Sequence, residues 1–377
     1  MSEAGSEPFA IFERGLRIFK NRDALLPTWT PYRILFRDDE IAQISINLGY
    51  SLIGSTPSHM LILGLPGTGK TATVLFVINK LKEKIREENI EDVLISYTIS
   101  GRTSYSTLVE LASDIDIYLP TRGYSFKEAW KKFKEEIRDR IFIAVIDEID
   151  LLILNGGRDI LYYLSRTPKI SIIGISNILN VLDLIKDPRV RSSFSPQILV
   201  FNKYNAEQLR GILEDRVKEA FYSGVVEEGA IALSSALAAQ RGGDARFALD
   251  LMLKAGEKAV IEGKDKIDES LIYDVVDDVE TLHVKRAIEK LPLAHRYLLS
   301  IIAANQGLSP SEIYEIYNRN APSPLTRRRL SSFLSELELF GIIRMERKGR
   351  GRGRGIEYSV FLTEPQLKRM LEDIPLS

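Results

Sequence analysis

The rhythm of apolar positions changes twice along the chain. From about 31 to 204, short apolar runs alternate with helical stretches. PYRILFRDDEIAQISINLGYSL (31–52) is a loop leading into a helix, with Ile41, Ile44 and Leu48 near helical spacing. Strands are predicted at HMLILG (59–64), DVLISYTIS (92–100), IFIAVID (141–147) and KISIIGISN (169–177). TATVLFVINKLKEKIREEN and SFKEAWKKFKEEIRDR (125–140) are helical. Four buried strands separated by helices predict an α/β fold with a mostly parallel sheet covered on both faces. From about 205 to 278 the pattern is helical throughout: NAEQLRGILEDRVKEAF, EEGAIALSSALAAQRG, DARFALDLMLKAGEKAVIEG and DESLIYDVVDDVE. Beyond it come helices at about 281–304 (with Pro292 as a breaking point), 309–319 and 324–339. IIRMERK (342–348) and IEYSVFLT (356–363) follow. Three helices and a strand–loop–strand make a winged helix pattern. The predicted domains are 1–204, 205–278 and 279–377.

Composition narrows the chemistry. The 377 residues suit two or three domains, and 45% apolar with 27% charged residues excludes a largely disordered chain. Without Cys there is no disulfide, thiolate ligand or thiol nucleophile. His59, His283 and His295 are too scattered for a metal motif. IFIAVI (141–146) is far too short to cross a bilayer. The N-terminus is acidic where a signal peptide would be basic, so a cytoplasmic protein with no membrane partner is expected.

GLPGTGKT (64–71) matches the phosphate-loop pattern without deviation, after a strand and before a helix. Gly64, Leu65, Pro66, Gly67, Thr68 and Gly69 supply a tight turn whose N–H groups face inward, and Thr73 belongs to the same nucleotide-binding set. Lys70 is suited to the β- and γ-phosphates, and the Thr71 hydroxyl to Mg2+. Asp147, ending a very apolar strand, is the second Mg2+ ligand, and Glu148 the general base for an attacking water. Asp150 continues the acidic run as a loop or cap residue. Asn177 ends the next strand, where its side chain would order the water or touch the γ-phosphate. A turn-forming Asn is the alternative. NKYN (202–205) lacks the final carboxylate of a guanine-reading motif, so the expected nucleotide is ATP or ADP.

Arginines outside the loop form two further groups. In DPRVRSSF (187–194), Arg189 or Arg191 is a candidate for reaching a neighbouring subunit's γ-phosphate. In GGDARFALD (242–250), Arg246 stands in a helix's first turns, unfavourable to the dipole unless the guanidinium reaches phosphate. Net charge is −1, yet residues 281–377 hold 16 Lys and Arg against 10 Asp and Glu, making a basic end. SPLTRRRLSSFLSELELF is predicted to start with Ser323 as cap and Pro324 at the first helical position. Leu330, Phe333, Leu334 and Leu337 form its buried stripe. Arg328, Arg329 and Ser332 face away, and Arg327 lies at the stripe's edge. These residues, with Arg347, Lys348, Arg350, Arg352 and Arg354 of the Gly/Arg wing, are the candidate DNA contacts.

A phosphate loop, VIDEID, ISN, DPRVRSSF and GGDARFALD, in that order before a basic winged helix, resemble the archaeal replication initiators. These are AAA+ ATPases related to the eukaryotic origin recognition complex and its helicase-loading partner. The resemblance covers about 31–363. It implies an AAA+ core, a helical lid and a winged helix domain, with the sensor-one role on Asn177 and sensor-two on Arg246. It further implies slow ATP hydrolysis used as a switch and binding to double-stranded origin DNA on the chromosome. The implied protein partners are a paralogous initiator subunit and the replicative helicase. An additional DNA-contacting insertion would fall within 101–125, with Arg102 and Arg122 as candidates. The same modules would also serve a helicase or branch-migration motor, or a signalling ATPase whose winged helix docks protein.

Overall fold

The computed structural model describes residue 13 and residues 16–100, 103–121, 123–321, 323–339, 342–348 and 357–363. They fall into two compact units, divided between Val275 and Val276. The first holds a five-stranded sheet of β1 (Met60–Gly64), β2 (Val93–Ile99), β3 (Ile141–Asp147), β4 (Ile170–Ser176) and β5 (Gln197–Phe201). Its order is β2-β3-β4-β1-β5, and every pairing is parallel. β1, β3 and β4 are buried along their whole length, as their unbroken apolar runs require.

The sheet contains a strand absent from the sequence prediction. β5 alternates, with Leu199 and Phe201 buried while Ile198 and Val200 are exposed. It is an edge strand with one open face, although its residues 198–201, ILVF, are themselves a short apolar run. That run, bounded by Pro196 and Asn202, was its available signal.

Helices α1 (Asp38–Gly49), α2 (Lys70–Glu87), α3 (Ser104–Ser113), α4 (Phe126–Ile137), α5 (Ile149–Leu154), α6 (Arg158–Arg166) and α7 (Pro188–Ser193) complete the core. α2 lays Val74, Val77, Ile78 and Leu81 against β1 and its neighbours. Sharp capping boxes start α3 at Thr103 and α4 at Ser125. On the outer edge of the sheet, the Asp114 carboxylate accepts the Tyr97 N–H of β2 at 2.8 Å. α8 (Ala206–Ala220), α9 (Glu228–Gln240) and α10 (Ala245–Glu262) form the helical lid within the same unit. The N-terminal segment packs on the lid through the Phe19–Phe221 ring stack.

The division into units falls inside α11 (Glu269–Lys290). This helix runs on through 281, where the sequence reading began a new helix, and the chain breaks only before Pro292. The second unit contains α12 (Leu293–Ala304), α13 (Pro310–Asn320), α14 (Arg327–Leu339) and the antiparallel hairpin β6 (Ile343–Lys348) and β7 (Glu357–Leu362). Leu298, Ile302, Ile313, Leu334, Leu337 and Val360 pack its core. α14 begins three residues later than predicted, so Ser323 is not its cap and Pro324 is not its first residue. Asn318 explains the delay. Its side chain accepts the Leu325 N–H at 2.6 Å and donates to the Leu325 C=O at 3.0 Å, satisfying that backbone outside any helix. Thr326 takes over as cap, accepting the Arg329 N–H at 3.3 Å.

Candidate functional site

β1 ends between the ends of β4 and β5. Leu63 is in register with Ser176 of β4, and Gly64 with Phe201 of β5. After β1 the chain leaves for the far edge of the sheet, so a crevice opens at the carboxyl ends of the strands. GLPGTGKT turns in that crevice. Gly67 and Gly69 have φ of 71° and 86°, a region glycine enters without strain. A Cβ on Gly67 would overlap the Asp244 carboxylate, and one on Gly69 would lie 2.5 Å from the Tyr204 hydroxyl. Leu65 and Pro66 expose their side chains, so their part in the loop is played by backbone. Thr73 is fully buried and donates to Gly69 O at 2.8 Å. Its hydroxyl supports the helix turn rather than lining the crevice.

Lys70 lies at the start of α2, almost fully buried. Its Nζ donates to Gly64 O at 2.8 Å, Leu65 O at 2.8 Å and Asn177 Oδ1 at 2.9 Å. Burial among neutral oxygens pushes the ammonium down to about 8. Arg246 adds to that effect, while Asp147, Asp150 and Asp244 oppose it. The structure therefore brings Lys70 and Asn177 into contact and puts Arg246 of the lid within electrostatic reach.

The acidic strand end completes the crevice. Thr71 Oγ1 donates to Asp147 Oδ2 at 2.7 Å, and the Tyr97 hydroxyl donates to the same oxygen at 3.1 Å. Burial and the Asp147 charge push the Tyr97 phenol well above its ordinary range. Asp147 Oδ1 accepts the Glu148 N–H at 2.8 Å. Glu148 has φ 53°, a left-handed conformation that costs a non-glycine residue about 1 kcal/mol or more. Ser100 holds it there, its Oγ donating to Glu148 O at 2.8 Å and its N–H to Asp147 O at 2.8 Å. Thr71 and Asp147 present a hydroxyl and a carboxylate oxygen side by side, a donor pair that fits Mg2+. Asp150, taken from sequence as a loop or cap residue, is instead buried in the first turn of α5. Burial pushes its carboxyl up, and hydrogen bonding to Ser176 opposes that shift.

Three residues here were not visible in the sequence. Tyr97 and Ser100 sit on and just after β2 with no motif around them. Arg37, just before α1, is 4% exposed and reaches the back of the phosphate loop.

The two finger candidates lie on and around α7. Arg189 grips Asp187 with two bonds, at 3.2 and 2.8 Å, and holds that carboxyl down to about 2. Arg191 meets Asp183 through one 3.2 Å bond, with both side chains mostly in solvent.

In the second unit, Leu330, Phe333, Leu334 and Leu337 form the buried stripe and Arg327, Arg328 and Arg329 are exposed. Arg327 stacks over Tyr314 at 4.7 Å and Arg329 over Phe333 at 5.5 Å. Ser332 does not simply face outward. It is half-buried and donates to Glu336 Oε1 at 3.0 Å, while Glu336 Oε2 meets His295 Nε2 at 2.7 Å. Arg347 is exposed on β6, and the Lys348 backbone ends that strand. Arg350, Arg352 and Arg354 of the wing lie outside the described residues, as do Arg102 and Arg122.

Comparison with known proteins follows this division. A model of the AAA domain matches residues 53–182, one of the Cdc6 AAA+ ATPase-type lid domain 210–277, and one of the CDC6 C-terminal winged helix domain 286–369. Two ORC1-type DNA replication proteins of Methanothermobacter thermautotrophicus are 42% and 41% identical to this chain. The alignments cover 93% and 97% of it, and 95% and 99% of their own lengths. One from Pyrococcus furiosus is 37% identical, covering 96% of this chain and 92% of its own. The solved structure of Aeropyrum pernix ORC1 in complex with DNA has a TM-score of 0.75 at 33% identity, covering 95% of this chain and 97% of that one.

Proposed function

The chain belongs to the archaeal ORC1/Cdc6-type family of AAA+ proteins, and from that premise we propose that it is an ATP-regulated initiator of DNA replication that binds duplex origin DNA. One observation carries the reading: Lys70 is bonded to Asn177 and Thr71 to Asp147 at the carboxyl ends of the strands, in a chain whose second unit exposes Arg327–Arg329 on a winged-helix fold.

The loop's N–H groups and Lys70 take the phosphates of ATP or ADP. Thr71 and Asp147 would hold Mg2+, which when bound would offset the negative charge of the phosphates. Glu148, fixed by Ser100 and Asp147, accepts a proton from the attacking water. Asn177 orients that water or the γ-phosphate. Arg246 carries the state of the phosphates to the lid, and Arg191, the more loosely held of its pair, reaches a neighbouring subunit's nucleotide. Hydrolysis is slow and serves as a switch that governs recruitment of the replicative helicase, with a paralogous initiator as a further partner. Arg328, Arg329 and the wing arginines engage the duplex; that the A. pernix relative was solved in complex with DNA supports DNA binding as such.

Footprinting on chromosomal DNA with ATP, with ADP and with 281–377 removed tests the reading. Protection confined to origin repeats and lost with the C-terminal unit is expected. Equal protection of random duplex would overturn it.

A further inference from the structure

The carbonyls of the phosphate loop are bonded on two sides: Lys70 Nζ takes Gly64 O and Leu65 O, and groups from outside the loop take Gly67 O and Thr68 O. Gly67 O accepts the Ala245 N–H of α10 at 3.1 Å. Thr68 O accepts two N–H groups of Arg37, from Nε at 3.1 Å and Nη2 at 2.9 Å. In a planar trans peptide the C=O of one residue and the N–H of the next point in opposite directions. A cation that fixes Thr68 C=O outward therefore fixes Gly69 N–H inward.

The rest of the guanidinium is as firmly held. Nη2 also donates to Asn202 O at 2.6 Å, Nε to the Tyr204 hydroxyl at 3.1 Å, and Nη1 to Glu40 at 2.9 Å. The guanidinium lies 4.0 Å over the Tyr204 ring. Residues 202–205 are the whole link between β5 and lid helix α8. Only a planar donor fork reaches loop, link and α1 together, which a lysine ammonium cannot reproduce.

We propose that Arg37 is a positioning residue for phosphate binding, aiming the Gly69 N–H into the crevice by holding the peptide between Thr68 and Gly69 from behind. The proposal rests on the nucleotide reading above. Arg37 lies on the far side of the loop and does not touch the nucleotide. Its effect falls on the phosphates and not on the nucleoside.

Titration calorimetry of the full chain with ADP and with adenosine separates the two. Arg37→Lys is expected to weaken ADP by about tenfold or more, the size of a lost charge-assisted hydrogen bond, and to leave adenosine binding unchanged. Glu40→Gln is the control. It removes the half-buried counter-charge and lowers the melting temperature, but keeps the grip on Thr68, so the ratio of ADP to adenosine affinity stays at the wild-type value. A merely structural Arg37 would lower both affinities in step with stability in both variants, and that result overturns the proposal. So does an Arg37→Lys protein that binds ADP as the wild type does. If that variant does not melt cooperatively, Tyr204→Phe carries the test. Loss of the hydroxyl that steadies Nε should weaken ADP selectively, and unchanged ADP binding overturns the proposal. A wild-type chain that binds no ADP would take down the nucleotide reading itself, a result distinct from all of these.

Discussion

Lys70 is a cation whose three direct partners are all neutral oxygens, and this sets its chemistry. Its proton leaves near pH 8 in the unliganded fold, against an ordinary value of 10.5. ADP affinity should therefore decline as pH rises through about 8, because binding must restore the proton. Calorimetry in buffers of different ionisation heat should read that uptake. Lys70→Ala should weaken ADP on the order of a hundredfold and abolish the uptake. The same shift makes the unliganded fold relatively more stable from about pH 8 toward 10.5, where the unfolded chain keeps a proton the folded one has released. Glu148→Gln keeps the loop intact, so it should bind ATP normally and lose turnover by about a hundredfold or more in a phosphate-release assay. Normal turnover would dismiss the general-base role. These residues were legible in sequence because phosphate chemistry demands fixed types at fixed spacings. Arg37 was not, since the partners that tie it to the loop and the link are backbone oxygens and a tyrosine distant in the chain, which leave no pattern.

β1, β3 and β4 stood out as unbroken apolar runs buried along their whole length, whereas the shorter run ILVF of the edge strand β5 was passed over. The start of α14 was misplaced because Ser323–Pro324 is a good local start, yet Asn318, seven residues before Leu325, commits that backbone elsewhere. Local chemistry proposes and a tertiary contact decides. On α14 the arginines and the stripe are separable. Arg328→Ala with Arg329→Ala leaves Leu330, Phe333, Leu334 and Leu337 packed. The pair should weaken duplex binding and lower the log–log salt slope by about two. An unchanged slope would place the phosphate contacts on other residues.

At the scale of the molecule, two compact units predict two melting transitions. Every group assigned to the nucleotide lies in the first unit. ADP at 100 times its dissociation constant should stabilise that transition by about 2.7 kcal/mol and leave the other where it is. A scan in which both transitions moved together would refute the independence. The change of rhythm near 205 was visible in sequence, but the union of core and lid in one unit was not. It is made by contacts such as Ala245 on Gly67, which pair backbone with backbone. Asp114 has a consequence at this scale too. An unpaired outer strand invites the same strand of another molecule to continue the ladder, a route to fibres and to clumping at high concentration. By occupying the Tyr97 amide midway along β2, this carboxylate interrupts the template and sets a charge in the path of any incoming backbone. Copies of the chain can crowd together at high concentration without zipping through that margin.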